Sequence, residues 1–342
     1  MSGSLPAVSV VVRSYHRRGH LLSLVRALLD QDHPEFEVIV LEQSEWSPEE
    51  RAPLDALAQA DARLRVLYSR PLGVGGARDT GWRMARFGIV LTIDDDDQPL
   101  DRGLIRGHAV NYLDPSVVAV TGRHVYSADE RCGYKPRFRA RRYCLSYNLF
   151  GFPHAFCRFD ERVESVSWLH GSNGSVRRDV IERVGGWDPA ATDHDEHSFC
   201  LALPRHLRAG ERLVFDPSVV LLRSKDVAGG AAVRWAGPRA IFQGWHRYFH
   251  GLVLRHRPVR SVLLYPALPL TAWFMAARWI WVDAKNYTSL GPRLRDTLRV
   301  ALAGPFWYVR ELTRPRARAP SLPAHQQRSR HPPPTRTAAS GR

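Results

Sequence analysis

The chain has 342 residues, 44% hydrophobic and 24% charged, which suffices for one large domain or two small ones and excludes a wholly disordered protein. Its net charge of +15 is unusual, and the last 30 residues, Thr313 to Arg342, carry seven arginines and no acid, leaving +8 on the remainder. Four scattered cysteines (Cys132, Cys144, Cys157, Cys200) with no CxxC pair argue against a zinc module or a disulfide framework and fit a reducing compartment.

The opening stretch MSGSLPAVSVVV lacks a basic segment and a long apolar run, so no signal peptide is expected and the expected location is cytoplasmic. VSVVV (8–12) is short, β-branched and continuous, which predicts a buried strand. Leucines and Val25 at helical spacing predict a helix over 17–31. EVIVL (37–41) predicts a second strand, Ser47-Pro48 a helix start with the helix running over 48–60, and LRVLY (64–68) a third strand. A helix over 76–87, a strand over 88–93, a helix over about 101–113 and a strand over 117–121 complete the alternation. Strands separated by helices predict an α/β fold, a mainly parallel sheet with helices on both faces. Ligands of such sheets gather at the carboxyl ends of strands. Arg13-Ser14-Tyr15, Glu42-Gln43-Ser44, the glycines after Ser69 and Asp94–Asp97 all fall there.

Residues 123–165 are irregular, aromatic and Arg-rich, a candidate acceptor-facing insert; NGSVRRDVIERVGG restores periodicity and RLVFDPSVVLL predicts further strand. From Ala228 the character changes. Residues 261–277 carry no charge but contain two prolines, at the lower length limit for a membrane span. RLRDTLRVALAGPFWYVREL is amphipathic, basic and aromatic, so these C-terminal helices are expected to associate with a membrane by lying in its interface; a buried helical hairpin is the bland alternative. The expected division is an α/β domain over 1–227, a membrane-associated helical region over 228–312, and a disordered basic tail over 313–342. That tail would be drawn to polyanions, with anionic lipid and nucleic acid as candidates.

The chemistry centres on LTIDDDDQPL (91–100), where a buried strand ends in four aspartates. Adjacent carboxylates repel by about 1 kcal/mol per pair at ~4 Å even in water. Either the stretch is a solvated loop or a cation sits there. Alternate residues can aim Asp94 and Asp96 at one point, and Mg2+ or Mn2+ takes a few carboxylate oxygens together with phosphate, so a diphosphate leaving group would be neutralised there. RPLGVGGARD (70–79) is Gly-rich and opens a helix, but it matches neither the dinucleotide fingerprint nor a Walker loop; Arg78 could still contact phosphate.

VSVVVRSYHR, FEVIVLEQS, PLGVGGARDTGWRMA, LTIDDDDQP and GSNGSVRRDVIERVGGWD stand in the order seen in inverting family 2 glycosyltransferases, which the chain resembles over about residues 6–225. The resemblance implies a GT-A fold, a nucleotide-sugar donor and a divalent metal (Mg2+ or Mn2+); together with the C-terminal helices it leads to the expectation of a UDP- or dTDP-type donor and a glycan or lipid-linked acceptor at the inner membrane surface. It places Ser14 and Tyr15 in the nucleotide pocket and Glu42 where an Asp usually meets base or ribose. Arg78 and Asp79 stand where the family usually reads Ala-Arg-Asn. Asp94 and Asp96 match the metal-binding Asp-x-Asp, with Asp95 close enough to share the role. Gly171, Ser172 and Asn173 match a loop near donor sugar and acceptor. Asp195 and Glu196 align with the family's Glu-Asp pair, either able to serve as the general base, with Asp195 favoured. Arg223 stands where many relatives place a metal-ligating His, so it either grips the diphosphate or signals weaker metal dependence.

Trp168, His170 and Trp187 flank the acceptor-side loop and could stack on sugar or fill core. His194 and His197 offer two zinc-type ligands without a third. Two other readings stay open: a nucleotide-sugar-binding protein without catalysis, and a polyanion-binding protein, although no recognised nucleic-acid module is present.

Overall fold

A computed structural model of the protein describes residues 4–125, 144–147, 153–155, 161–189, 191, 194–224, 276–277, 280–281 and 289–312. Its centre is an eight-stranded sheet. In chain order the elements are β1 (Val8–Ser14), α1 (Arg18–Leu29), β2 (Phe36–Glu42), α2 (Pro48–Ala60), β3 (Leu64–Tyr68), α3 (Gly73–Met84), β4 (Ile89–Asp94), β5 (Asp97–Pro99), α4 (Leu104–Asn111) and β6 (Val117–Val125). The hairpin strands β7 (Cys144–Tyr147) and β8 (Pro153–Ala155) pair in a separate small sheet. Then come β9 (Gly174–Arg177), α5 (Arg178–Val184), α6 (Asp195–Ala202), β10 (Arg212–Arg223) and α7 (Leu290–Leu312).

The order across the main sheet is β3-β2-β1-β4-β9-β6-β10-β5. The expected mainly parallel sheet is therefore mixed. β3-β2-β1-β4 and β6-β10 are parallel, while β9 lies antiparallel between β4 and β6, and β5 lies antiparallel against β10. These two short strands come from stretches whose sequences show no strand pattern of their own.

Successive residues of a strand face opposite sides. Val8, Val10 and Val12 meet Leu21, Leu24 and Leu28 of α1, together with Leu54 of α2 and Ile105 of α4. Val11, Ile39 and Leu41 meet Trp82 of α3, Ile181 of α5 and Phe199 of α6. Both faces are covered, which is why these strands read as continuous apolar runs. α2 starts where Ser47 and Glu50 form a reciprocal capping box with Pro48 in the first turn.

The Gly-rich stretch is helix rather than loop, with α3 beginning at Gly73 (φ +73°). Its glycines serve close packing. A Cβ on Gly81 would lie 2.2 Å from Val11 Cγ1, and one on Gly75 would lie 2.2 Å from the Asp188 carbonyl oxygen. Only glycine lets this helix lie so close to β1, Asp188 and Ala191.

Among the described residues no helix is long and apolar enough to cross a membrane. Most of 261–277, all of 313–342 and most of the 123–165 insert lie outside the described residues.

Candidate active site

The register of the parallel strands builds the floor. β1 pairs β2 with Ser14 opposite Glu42, and β1 pairs β4 with Arg13 opposite Asp94. Three polar residues that end three buried strands are thereby neighbours. Glu42 is fully buried; one carboxylate oxygen accepts from the Ser44 N–H at 2.7 Å and the other, Oε2, is buried without a hydrogen-bond partner. Ser14 is buried beside it. Tyr15 is half exposed, its ring 4.1 Å from that of His16, and its N–H donates to Asp95 Oδ2 at 3.3 Å.

The four aspartates are answered by arginines. Arg13 Nε and Nη2 both reach Asp94 Oδ1 at 2.9 Å. Arg17 Nη1 lies 2.8 Å from Asp95 Oδ1 and 3.1 Å from Asp96 Oδ2. Arg223 grips Asp97 with two parallel donors, Nε and Nη2, each at 2.8 Å. Burial raises the pKa of Asp94, but Arg13, Arg78 and Arg223 outweigh it and hold the group below its ordinary value. Asp97 is held low in the same way, against its burial, by Arg223 and His124. Asp96 shifts upward through burial and the repulsion of Asp94 and Asp97, and Asp95 upward through burial despite Arg17. One oxygen each from Asp94, Asp96 and Asp97 lies within 4.8 Å of the others. Such a hard-oxygen set fits Mg2+ or Mn2+. Asp97 joins it in space although only Asp94 and Asp96 stand out in the sequence.

Arg78 is the hub beneath this cluster. Its guanidinium is 2% exposed, donates to the Gly171 carbonyl at 2.6 Å, lies 3.6 Å from Asp94 and forms a short ion pair with Asp195. It therefore ties α3 to β4, to the loop before β9 and to the start of α6. Adjacent helix residues point about 100° apart, so Asp195 and Glu196 have different fates. Asp195 is buried and committed to Arg78, and its pKa is pushed up by burial against that arginine. Glu196 keeps part of its surface open and lines a narrow cavity with Arg78, Thr92, His170, Gly171 and Cys200.

The 171–173 loop is held from behind. Ser172 Oγ accepts from the Asp94 N–H at 3.0 Å and donates to Asp97. Asn173 is fully buried at φ +63°, and its amide nitrogen donates to the Arg123 and Val219 carbonyls at 2.9 and 3.1 Å. Its Oδ1 thus faces His108 Nε2 at 2.9 Å, which must carry the proton. His108 Nδ1 then accepts from the Ser175 hydroxyl at 2.8 Å, which in turn receives Tyr112 OH at 2.8 Å. Burial pushes His108 down to about 4, so it is neutral near pH 7. The unfolded chain, with an ordinary His value of 6.5, binds that proton more readily. This stability is therefore complete above pH 6.5 and is lost as pH falls toward 4. His108→Leu orphans Asn173 Oδ1 and the Ser175 hydroxyl, so thermal denaturation is expected to show a loss of about 2–4 kcal/mol and a weaker acid sensitivity.

Other expected site residues lie elsewhere. Asp79 turns away from the cluster and accepts from Trp82 Nε1 at 2.8 Å and Arg83 Nε at 2.9 Å, fastening α3 internally. Trp168 is buried, its ring 5.1 Å from that of His170 and 4.7 Å from that of His197, and packs in the core rather than facing an acceptor. Ser172 and Asn173 support the site from within, while Gly171 lines the cavity. Trp187 stacks on Phe199 at 4.6 Å. His197 bonds Tyr147 OH at 2.9 Å, and the His194–His197 pair acquires no third ligand: among the described residues the metal-type group is Asp94, Asp96 and Asp97. The sequence alone places Arg13 and Asp97 at the strand ends without giving them a role, and gives Arg17 none. The available signal was an arginine near the end of an otherwise apolar strand, in direct register with Asp94 of the neighbouring strand.

Comparison with known proteins identifies the family and the fold. The family described as Glycosyl transferase family 2 matches residues 9–185. An uncharacterized glycosyltransferase of Bacillus subtilis, EpsJ, is 27% identical over 142 residues, 40% of this chain and 40% of that protein. The putative teichuronic acid biosynthesis glycosyltransferase TuaG of the same organism is 30% identical over 99 residues, 29% of this chain and 39% of its own length. The matches thus span about two fifths of these curated relatives. Among solved structures, mannosyltransferase PcManGT of Pyrobaculum calidifontis, in complex with GDP-Man and Mn2+, superposes with a TM-score of 0.53 at 19% identity, over 90% of this chain and 84% of that one. S. aureus TarS 1-349 in complex with UDP-GlcNAc gives 0.54 at 14% identity, over 89% and 79%. At these identities the likeness concerns the fold.

Proposed function

Since the chain belongs to glycosyl transferase family 2, we propose that it moves a sugar from a nucleotide-sugar donor to an acceptor hydroxyl with inversion at the sugar carbon. The observation that carries this reading is the carboxylate group of Asp94, Asp96 and Asp97, which stands at the carboxyl end of β4 beside Ser14, Glu42 and three guanidiniums. The donor's nucleoside lies against Tyr15, Ser14 and the partnerless oxygen of Glu42. Arg13 and Arg223 face its diphosphate, and Asp95 keeps Arg17 and the Tyr15 backbone in place. Asp94 and Asp96 would hold Mg2+ or Mn2+, which would offset the charge of a departing diphosphate. Glu196 takes the acceptor proton, because Asp195 is already spoken for by Arg78. Inversion requires the hydroxyl to arrive from the face opposite the diphosphate, the side where the 171–173 loop and α6 meet.

A UDP- or dTDP-type donor and a polysaccharide or lipid-linked acceptor are the proposed substrates. The names of TuaG and of the TarS complex support those classes. Release of nucleoside diphosphate, measured over a panel of UDP-, dTDP- and GDP-sugars with Mn2+ and candidate acceptors, tests the proposal. Turnover of at least one donor is expected. Tight nucleotide binding without turnover across the panel would favour a non-catalytic binding protein instead.

The same reading puts the enzyme at the cytoplasmic face of a membrane, the leaflet whose acidic lipids attract arginine. On α7, Leu290, Leu294, Leu298, Leu302 and Phe306 recur every fourth residue and are all exposed, while Asp296, Val300 and Gly304 turn inward. Arg295 and Arg299, both mostly exposed, border that apolar ridge. Apolar insertion combined with lipid-phosphate contact is the pattern of an interfacial helix. Co-sedimentation with phosphatidylglycerol vesicles is expected for the wild type and to weaken at least tenfold in Leu294→Glu/Leu298→Glu. Equal binding by that variant would remove the membrane assignment.

A further inference from the structure

Resting on the donor reading above, a second property follows from the way the acids are matched. Asp94 to Asp97 supply four negative charges; Arg13, Arg17 and Arg223 supply three positive ones in direct contact. Arg78 is shared between Asp94 and Asp195. The patch is thus close to neutral without any added ion. Arg223 stands out in this group. It is pinned by a bidentate pair to Asp97, which is fully buried and also gripped by Ser172. The same Nη2 lies 4.0 Å from Asp94 Oδ2, the oxygen that Arg13 leaves open. About a third of Arg223 is exposed. Two of the three members of the candidate metal set, Asp94 and Asp97, therefore already share a fixed guanidinium.

We infer that Arg223 is a resident counter-cation of this site, competing with a divalent ion for Asp94 and Asp97 and contacting the donor's diphosphate itself. A metal ion arriving alone meets carboxylates that are already neutralised and a guanidinium that repels it. A diphosphate reverses the balance: its oxygens take Arg223 and Arg13 as partners, and its charge favours the ion. Ion and nucleotide then bind cooperatively, each raising the other's affinity by the same factor.

The test is calorimetric titration of the full-length protein with MnCl2, with UDP and with GDP, each alone and in combination. Arg223→Gln is expected to bind Mn2+ alone about tenfold more tightly and a nucleoside diphosphate without metal about tenfold more weakly, a change of about 1.4 kcal/mol each way. These opposite signs separate the idea from simple damage to the site. Arg223→Lys keeps the charge that Asp97 needs but loses the fork; it is expected to retain the weak wild-type Mn2+ affinity while still losing nucleotide affinity. If Arg223→Gln weakens both ligands, or if neither substitution changes Mn2+ binding while the wild type binds nucleotide, the counter-cation role is overturned. If the wild type binds no nucleoside diphosphate with or without Mn2+, the donor reading itself fails.

Discussion

Glu196→Gln is expected to abolish sugar transfer, lowering kcat by about 10²–10⁴-fold, while leaving donor binding within a few fold of wild type. The magnitude is that of a lost general base. The selectivity comes from geometry: Glu196 lines the cavity at the Gly171 loop, and the His197 imidazole 3.9 Å away is kept neutral by burial. Its neighbour gives the contrasting result. Asp195→Asn breaks the buried pair with Arg78, which also anchors Gly171 and faces Asp94. Breaking that buried pair costs up to about 3–5 kcal/mol, with Asp94 at 3.6 Å offsetting part of it, so Asp195→Asn should lose thermal stability and donor affinity together. Transfer kinetics, donor titration and melting temperature, measured on both variants, distinguish a base from a brace. The reverse pattern, with Asp195→Asn stable and inactive and Glu196→Gln active, would return the base to Asp195.

Asp96→Asn is the second large effect. Asp96 is one of the two carboxylates not held by a bidentate arginine pair of its own, and burial next to Asp94 and Asp97 shows how much negative charge is concentrated there. Removing one carboxylate ligand takes away several kcal/mol of charge stabilisation for a departing diphosphate. In transfer assays with saturating acceptor, kcat/KM for the donor is expected to fall by about 10²–10³-fold, and half-maximal activity to require far more Mn2+. Because Arg17 keeps Asp95 as a partner at 2.8 Å, the fold should survive. Turnover equal to wild type would remove Asp96 from the metal site.

Much of this was legible from residues alone, and the reason is physical. β1, β2 and β4 are buried on both faces in the parallel half of the sheet, so each reads as an apolar run that stops at a polar residue, whereas β3 lies at the sheet edge and is only partly buried. The stops at Ser14, Glu42 and Asp94 mark the site because parallel strands put their carboxyl ends on one edge. The rest depends on pairings across long stretches of chain. β9 and β5 are four and three residues long, too short to show a period, and their antiparallel insertion makes the sheet mixed. Arg13 finds Asp94 and Arg223 finds Asp97 only after the sheet has assembled. The glycines on either side of Arg78 matched no phosphate-loop fingerprint, and the demand that Gly81 and Gly75 answer, close approach to Val11 and to the Asp188 carbonyl, exists only in the packed protein. Asn173 is polar in a motif that resembles a binding loop, yet its amide is used up by two carbonyls and His108. The proposal of Glu196 rather than Asp195 as the base rests on the rotation of a helix, which no pair of adjacent letters encodes.

The central claim is that the acidic end of β4 receives a donor diphosphate through a divalent ion. Anomalous scattering from crystals grown with Mn2+ and a donor that the enzyme turns over locates that ion directly. The expected peak lies between the Asp94 and Asp96 carboxylates and touches diphosphate oxygens, with Arg223 against the same diphosphate. A nucleotide bound with its diphosphate away from these carboxylates, or manganese bound elsewhere while both aspartates stay paired only to arginine, would contradict it.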